Sequence, residues 1–327
     1  MTLGRANGRN VKACFLVRRS GAPYSASMNT NPTLRGIALA VLAALLVSSL
    51  PSTASHRVLR DIEYANVDGM SLLLDLYLPD PAPEEPVPLV LWVHGGAWRA
   101  GSKNTTYAPE TLGASYAVAS VEYRLSDVAL FPAQIHDIKA AVRFLRANAP
   151  RYGIDPDRFG AWGSSAGGHL VALLGTTCDH EALEGIVGAH LDQSSCVQAV
   201  CDFYGPTDFA SLLEQRGEDT RRPMPEDQLI GGSVEDLAEL AALASPITHV
   251  SADDPPFLII HGSDDGTVPV EQSIAFDDAL RDAGVDTALI VIEGAEHWIP
   301  RTERAPVIAF FDRWLQRESR AGETDVP

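Results

Sequence analysis

The feature that most limits what this chain can fold into is a repeated alternation. Six short apolar runs are spaced along it: "LVLWVH" (89–94), "YAVASVEY" (116–123), "RFGAWG" (158–163), "VQAVCDFYG" (197–205), "FLIIHG" (257–262) and "TALIVIEG" (287–294). Runs this short and this uninterrupted suit strands buried on both faces. Between them lie segments with helical periodicity. "AQIHDIKAAVRFLRANA" puts Ile135, Ile138, Val142 and Leu145 on one face, "SIAFDDALRDAG" stops on Gly284, and "APVIAFFDRWLQRE" comes last. Strands that alternate with helices build a mostly parallel sheet with helices on both sides. Ahead of the alternation, "VLRDIEYANV" and "MSLLLDLYLP" meet at Asp68-Gly69, a hairpin signal, and the proline-rich 79–88 reads as a surface connection. The expectation is an α/β fold: an eight-stranded, mostly parallel sheet opened by an antiparallel hairpin.

The two ends fall outside that pattern. Residues 1–54 hold six basic residues, no Asp or Glu, and the apolar run "GIALAVLAALLVSSL" followed by "PSTAS". That is the layout of a secretory signal with a cut after Ala54, and the run is short for a membrane span. The reading divides the chain into a leader (1–54), one α/β domain (55–320) and a tail (321–327), and makes the mature protein an exported one without a stable membrane anchor. Within the domain, 209–244 interrupts the alternation with a polar, charged excursion. It is either a small cap over the C-terminal edge of the sheet, where α/β folds bind ligands, or a plain loop.

Charge narrows the partners. The formal net charge is −18 and becomes about −24 once the leader's six cations are removed. Such a surface repels nucleic acid and favours neutral or apolar small molecules. Of four cysteines, Cys14 lies in the leader and Cys201 in an apolar run suited to a buried thiol. Cys178 and Cys196 flank a polar loop, and a bridge between them would contribute about 3 kcal/mol by closing it. No CxxC or HExxH spacing is present, so no metal or cofactor is called for.

Chemistry concentrates at "GSSAG". Ser165 alone has glycine at both −2 and +2, between a strand-like run and the helical "HLVALLG". A nucleophile raised on a sharp strand-to-helix turn has strained backbone angles and close neighbours that only small residues tolerate. Ser164 reads as a small packing residue of the same turn. A serine hydroxyl needs a base. Of nine histidines, His297 in "EGAEHWIP" follows the last strand and so shares Ser165's sheet edge. His261 reads as shaping its turn, His169 as structural, and His136 and His249 as satisfied elsewhere. The carboxylate that orients the base is then Asp265 or its neighbour Asp264, both after the penultimate strand. The glycines of "HGGAWRAG" let backbone N–H groups approach a developing oxyanion, giving donors at Gly96 or Ala97 and at Ala166.

On "HGGAWRAGSK", "GSSAGGHL", "VCDFYGPTDF", "HGSDDGTVPVEQS" and "GAEHW", the chain resembles secreted α/β-hydrolase esterases of the feruloyl and acetyl-xylan esterase-like (BD-FAE) type, related to hormone-sensitive lipases and arylformamidases. The resemblance covers about residues 57 to 318. It implies the α/β-hydrolase fold and Ser165, Asp265 and His297 as a triad, with Asp265 rather than Asp264 as its acid. It also implies Gly96, Ala97 and Ala166 around the oxyanion hole. Hormone-sensitive-lipase relatives carry a third glycine where Ala97 stands here. Trp98, next to it, either lines the acyl pocket or packs beneath it. The implied activity is a serine carboxylesterase for short-chain, acetyl or feruloyl esters, free or linked to polysaccharide. The rival readings are an arylformamidase-like amidase and an inactive hydrolase fold used for binding.

Overall fold

The computed structural model describes residues 55–216 and 224–316, so the leader and the tail lie outside the described residues. Eight strands form one sheet: β1 (Ser55–Val67), β2 (Met70–Asp80), β3 (Val87–Val93), β4 (Ala117–Val121), β5 (Ile154–Ser164), β6 (Ala199–Phe203), β7 (Phe257–Gly262) and β8 (Thr287–Ile292). Their spatial order is β1-β2-β4-β3-β5-β6-β7-β8. The β1–β2 and β2–β4 pairs are antiparallel and the rest are parallel. Only β2 therefore runs against the others. The hairpin turns where expected, with Asp68 at φ +50° and Gly69 at φ +87°, the paired left-handed conformation of a tight two-residue turn.

Why these runs are strands is visible in their burial. All residues of β3, β4, β6 and β7 are buried, as continuous apolar runs with helices on both faces require. The helix Ala133–Ala147 presents Ile135, Ile138, Val142 and Leu145 to the larger of two cores, with Leu89, Leu91 and Val93 of β3. The helix Ala305–Leu315 sends Val307, Phe311 and Leu315 to the other face, against Trp92 and Trp162. No helix among the described residues is long and apolar enough to cross a membrane.

The strand order was not apparent from sequence. Because β4 inserts between β2 and β3, the chain leaves β3 in one direction and leaves β5 in the other. The carboxyl ends of β3 and β5 are thus the point where winding reverses, and helices cannot cover the crevice there. The "HGGAW" loop follows β3 and Ser165 follows β5, so both meet at that crevice.

Candidate active site

Ser165 stands between the end of β5 and the helix Ala166–Thr176 with φ +57° and ψ −123°. A non-glycine residue held there is strained, and such strain persists only where the surroundings impose it. They do so: Ser165 N–H donates to Phe203 O of β6 at 2.8 Å, and Ser165 O accepts His169 N–H at 2.9 Å. The flanking glycines have a steric cause. A Cβ on Gly163 would lie 2.2 Å from Gly167 O, and one on Gly167 would lie 2.1 Å from Val93 O. Ala166, at the first position of the helix, has a backbone N–H with no intrahelical partner, at the positive end of the helix dipole.

The structure brings His297 and Asp265 to this serine. His297 Nε2 lies 2.8 Å from Ser165 Oγ, and Nδ1 lies 2.6 Å from Asp265 Oδ2. Burial alone would raise the Asp265 pKa, yet hydrogen bonds from His261, from His297 and from Val268 N–H hold it well below the usual carboxylate range. An ionised Asp265 only accepts, so Nδ1 carries the proton and Nε2 is left to accept from the serine hydroxyl. Asp264 instead accepts from the Ser263 hydroxyl beside it, and is not part of the chain of bonds.

One neighbour has a contact beyond the role read from sequence. His261 does bond its turn, 2.8 Å from Val268 O, but the same Nε2 lies 3.2 Å from Asp265 Oδ2, while the Ser273 hydroxyl meets Nδ1 at 2.6 Å. With Thr267 and Val268 N–H donating to Oδ1 at 2.8 and 2.9 Å, Asp265 is fixed from four sides. Ser164 ends β5, immediately before the nucleophile. The Tyr204 ring packs 4.7 Å from the His297 ring and forms a wall beside the imidazole. The Tyr204 contact has no sequence signal because Tyr204 and His297 are far apart in the chain, whereas His261 meets Asp265 within a single turn of four residues.

The "HGGAW" loop runs directly against the nucleophile, where a Cβ on Gly95 would lie 3.2 Å from Ser165 Cβ. Gly96, Ala97 and Trp98 all have positive φ, at +120°, +53° and +56°. For Ala97 and Trp98 this costs about 1–2 kcal/mol each. Of the two alternatives for Trp98, the pocket wall is excluded: it is 2% exposed, and its indole N–H donates to His169 Nδ1 at 3.2 Å. An indole packs in a core where its N–H finds a partner, and His169 supplies one. The exposed aromatic here is Trp298, 54% accessible and adjacent to His297.

The described parts of the 209–244 excursion are helical: Phe209–Arg216, Pro225–Ile230 and Ala238–Leu243. They lie on the same sheet edge, with Gln228 Oε1 accepting from Arg99 at 3.2 Å and Arg216 donating to Thr267 O at 2.8 Å. Away from the site, Cys178 and Cys196 are joined in a disulfide and Cys201 is a buried free thiol.

Known proteins resemble this chain in sequence and in fold. Residues 74–280 match the BD-FAE family. Esterase LipQ of Mycobacterium tuberculosis is 35% identical over 232 residues, covering 69% of this chain and 53% of its own length. The chain thus spans about half the length of the curated relatives it matches. Among solved structures, a truncated carbohydrate esterase from gut microbiota superimposes with a TM-score of 0.70 at 32% identity, over 80% of this chain and 97% of that one. A bifunctional GH43-CE protein of Bacteroides eggerthii gives 0.71 at 38% identity, over 78% of this chain and 38% of that one.

Proposed function

The chain belongs to the BD-FAE family, and from that premise we propose that it is a serine carboxylesterase acting on acetyl, feruloyl or other short acyl esters carried by carbohydrate. The observation that carries the reading is the chain of bonds from Ser165 Oγ through His297 to Asp265. His297 Nε2 takes the hydroxyl proton as Ser165 Oγ bonds to the ester carbonyl carbon, and Asp265 stabilises the resulting imidazolium. The backbone N–H groups of Ala166 and of Gly96 or Ala97 hold the oxyanion, a contribution worth about 3 kcal/mol per donor. His297 returns the proton to the departing alcohol, and a water, deprotonated by the same imidazole, releases the acid.

The carbohydrate part of the reading is supported by two things. The solved relatives include a carbohydrate esterase. The alcohol must also leave on the His297 side, where the half-exposed Trp298 offers a flat apolar face of the kind that stacks on sugar rings. The disulfide supports a location outside the reducing cytosol. A substrate panel of p-nitrophenyl acetate, methyl ferulate, acetylated xylo-oligosaccharides and an N-formyl arylamine tests the assignment. Ester hydrolysis with sugar acetates among the best substrates is expected; activity confined to the formamide would overturn it.

A further inference from the structure

The strained "HGGAW" loop must be held in place, and one of its restraints reaches across the site. Trp98 O accepts Ser126 N–H at 2.8 Å, an ordinary loop-to-loop bond. Its side chain makes a less ordinary contact: the indole N–H donates to His169 Nδ1 at 3.2 Å, while His169 Nε2 lies 2.7 Å from Ala244 O. An indole nitrogen can only donate and a carbonyl can only accept, so His169 must be neutral with its proton on Nε2. Burial favours that form, lowering the His169 pKa to about 4. Phe209 completes the packing, stacked on His169 at 5.1 Å and edge-on to Trp98 at 5.6 Å. Trp98, His169, Phe209 and Ala244 are all buried, so no water competes for these bonds.

The position of His169 gives this contact a meaning. It lies one turn along the helix that begins at Ala166, and its own N–H donates to Ser165 O. That helix therefore fixes one oxyanion donor directly, at Ala166, and grips the loop bearing the other through Trp98. Resting on the esterase reading above, we propose that His169 is a positioning residue that sets the spacing between the two halves of the oxyanion hole, Ala166 on one side and Gly96 or Ala97 on the other. Its second bond, to Ala244, ties that spacing to the far end of the 209–244 excursion, which begins at Phe209. The excursion and the oxyanion loop are thus braced by one imidazole.

The test uses three variants of the full chain: Trp98→Phe, which keeps a ring but removes the N–H; His169→Phe, which removes both bonds; and His169→Gln, which can accept and donate in a similar geometry. For p-nitrophenyl acetate, Trp98→Phe and His169→Phe should each lower kcat about tenfold to a hundredfold, short of the 100- to 1,000-fold loss on deleting a donor outright, with KM within about twofold of the wild type. The Ki of an aryl trifluoromethyl ketone, whose adduct with the serine carries an oxyanion, should weaken in parallel with kcat. The double variant should lose no more than the worse single one, and His169→Gln should recover most of the activity. If ketone affinity is unchanged in active variants, or the two losses multiply in the double variant, the proposal is overturned. A wild type inactive on every ester would overturn the esterase reading itself, which separates the two failures. Should His169→Phe fail to fold, Trp98→Phe alone carries the comparison of kcat with ketone affinity.

Discussion

At the scale of single residues, the site depends on which side chains hold or refuse a proton. The bonds around Asp265 keep its pKa below the unfolded value of 3.8, so its ionisation stabilises the fold above about pH 4 and that contribution is lost as the pH falls further. His169 titrates with different consequences. Its folded pKa of about 4 lies below the unfolded 6.5, so between these values the unfolded chain binds a proton that the folded chain does not. Stability should therefore fall by about 3 kcal/mol as the pH drops from 6.5 to 4. Melting temperatures measured over that range should decline less steeply in His169→Gln than in the wild type; parallel curves would show that this imidazole is not the group responsible. Asp265 was separable from Asp264 on sequence only by family resemblance. The bonds from His297 and from the Thr267 and Val268 N–H groups are what distinguish them physically.

Two elements position everything else. The first is the turn from β5 into the helix Ala166–Thr176, where backbone meets backbone with no room for a Cβ. Gly167→Ala would drive a methyl against Val93 O of the neighbouring strand. It should cost about 1–3 kcal/mol and displace the loop after β3, so kcat should fall along with stability in a thermal-melt and turnover comparison. The second is the helix Ala133–Ala147, which anchors the disulfide loop through charges. The buried Lys139 and Arg143 both bond Glu184, at 2.9 and 2.5 Å, and Lys139 and Arg143 also reach the carbonyls of Thr177 and Val187. Glu184→Leu leaves two buried cations unpaired and should destabilise by roughly 3–5 kcal/mol in urea unfolding. Replacing Cys178 and Cys196 by serine should cost about 3 kcal/mol. Since both changes release the same loop, the combined variant should lose less than the two together. The sequence showed this helix by its apolar periodicity. Lys139 and Arg143 carry no such signal, because their burial depends on a carboxylate more than forty residues away.

For the molecule as a whole, what was legible in sequence was what local physics dictates. Continuous apolar runs marked the buried strands, Asp68-Gly69 marked the hairpin, and the glycine frame marked Ser165. Their positions after three strand-like runs put Ser165, Asp265 and His297 on one sheet edge from sequence alone. What sequence did not reveal is non-local: the insertion of β4 between β2 and β3 and the burial of Trp98 against His169. Each depends on pairs of residues brought together only by the completed fold. The reading proposed above makes the crevice at the ends of β3 and β5 an ester-hydrolysing site with Ser165 as its nucleophile. The most direct measurement is active-site titration with p-nitrophenyl acetate followed by mass spectrometry of the quenched protein. A burst of one p-nitrophenol per chain and an acetyl group on Ser165 are expected, both absent in Ser165→Ala, whose kcat falls by at least about four orders of magnitude. A Ser165→Ala protein that folds normally and still turns over the ester, or an acetyl group found on another residue, would contradict it.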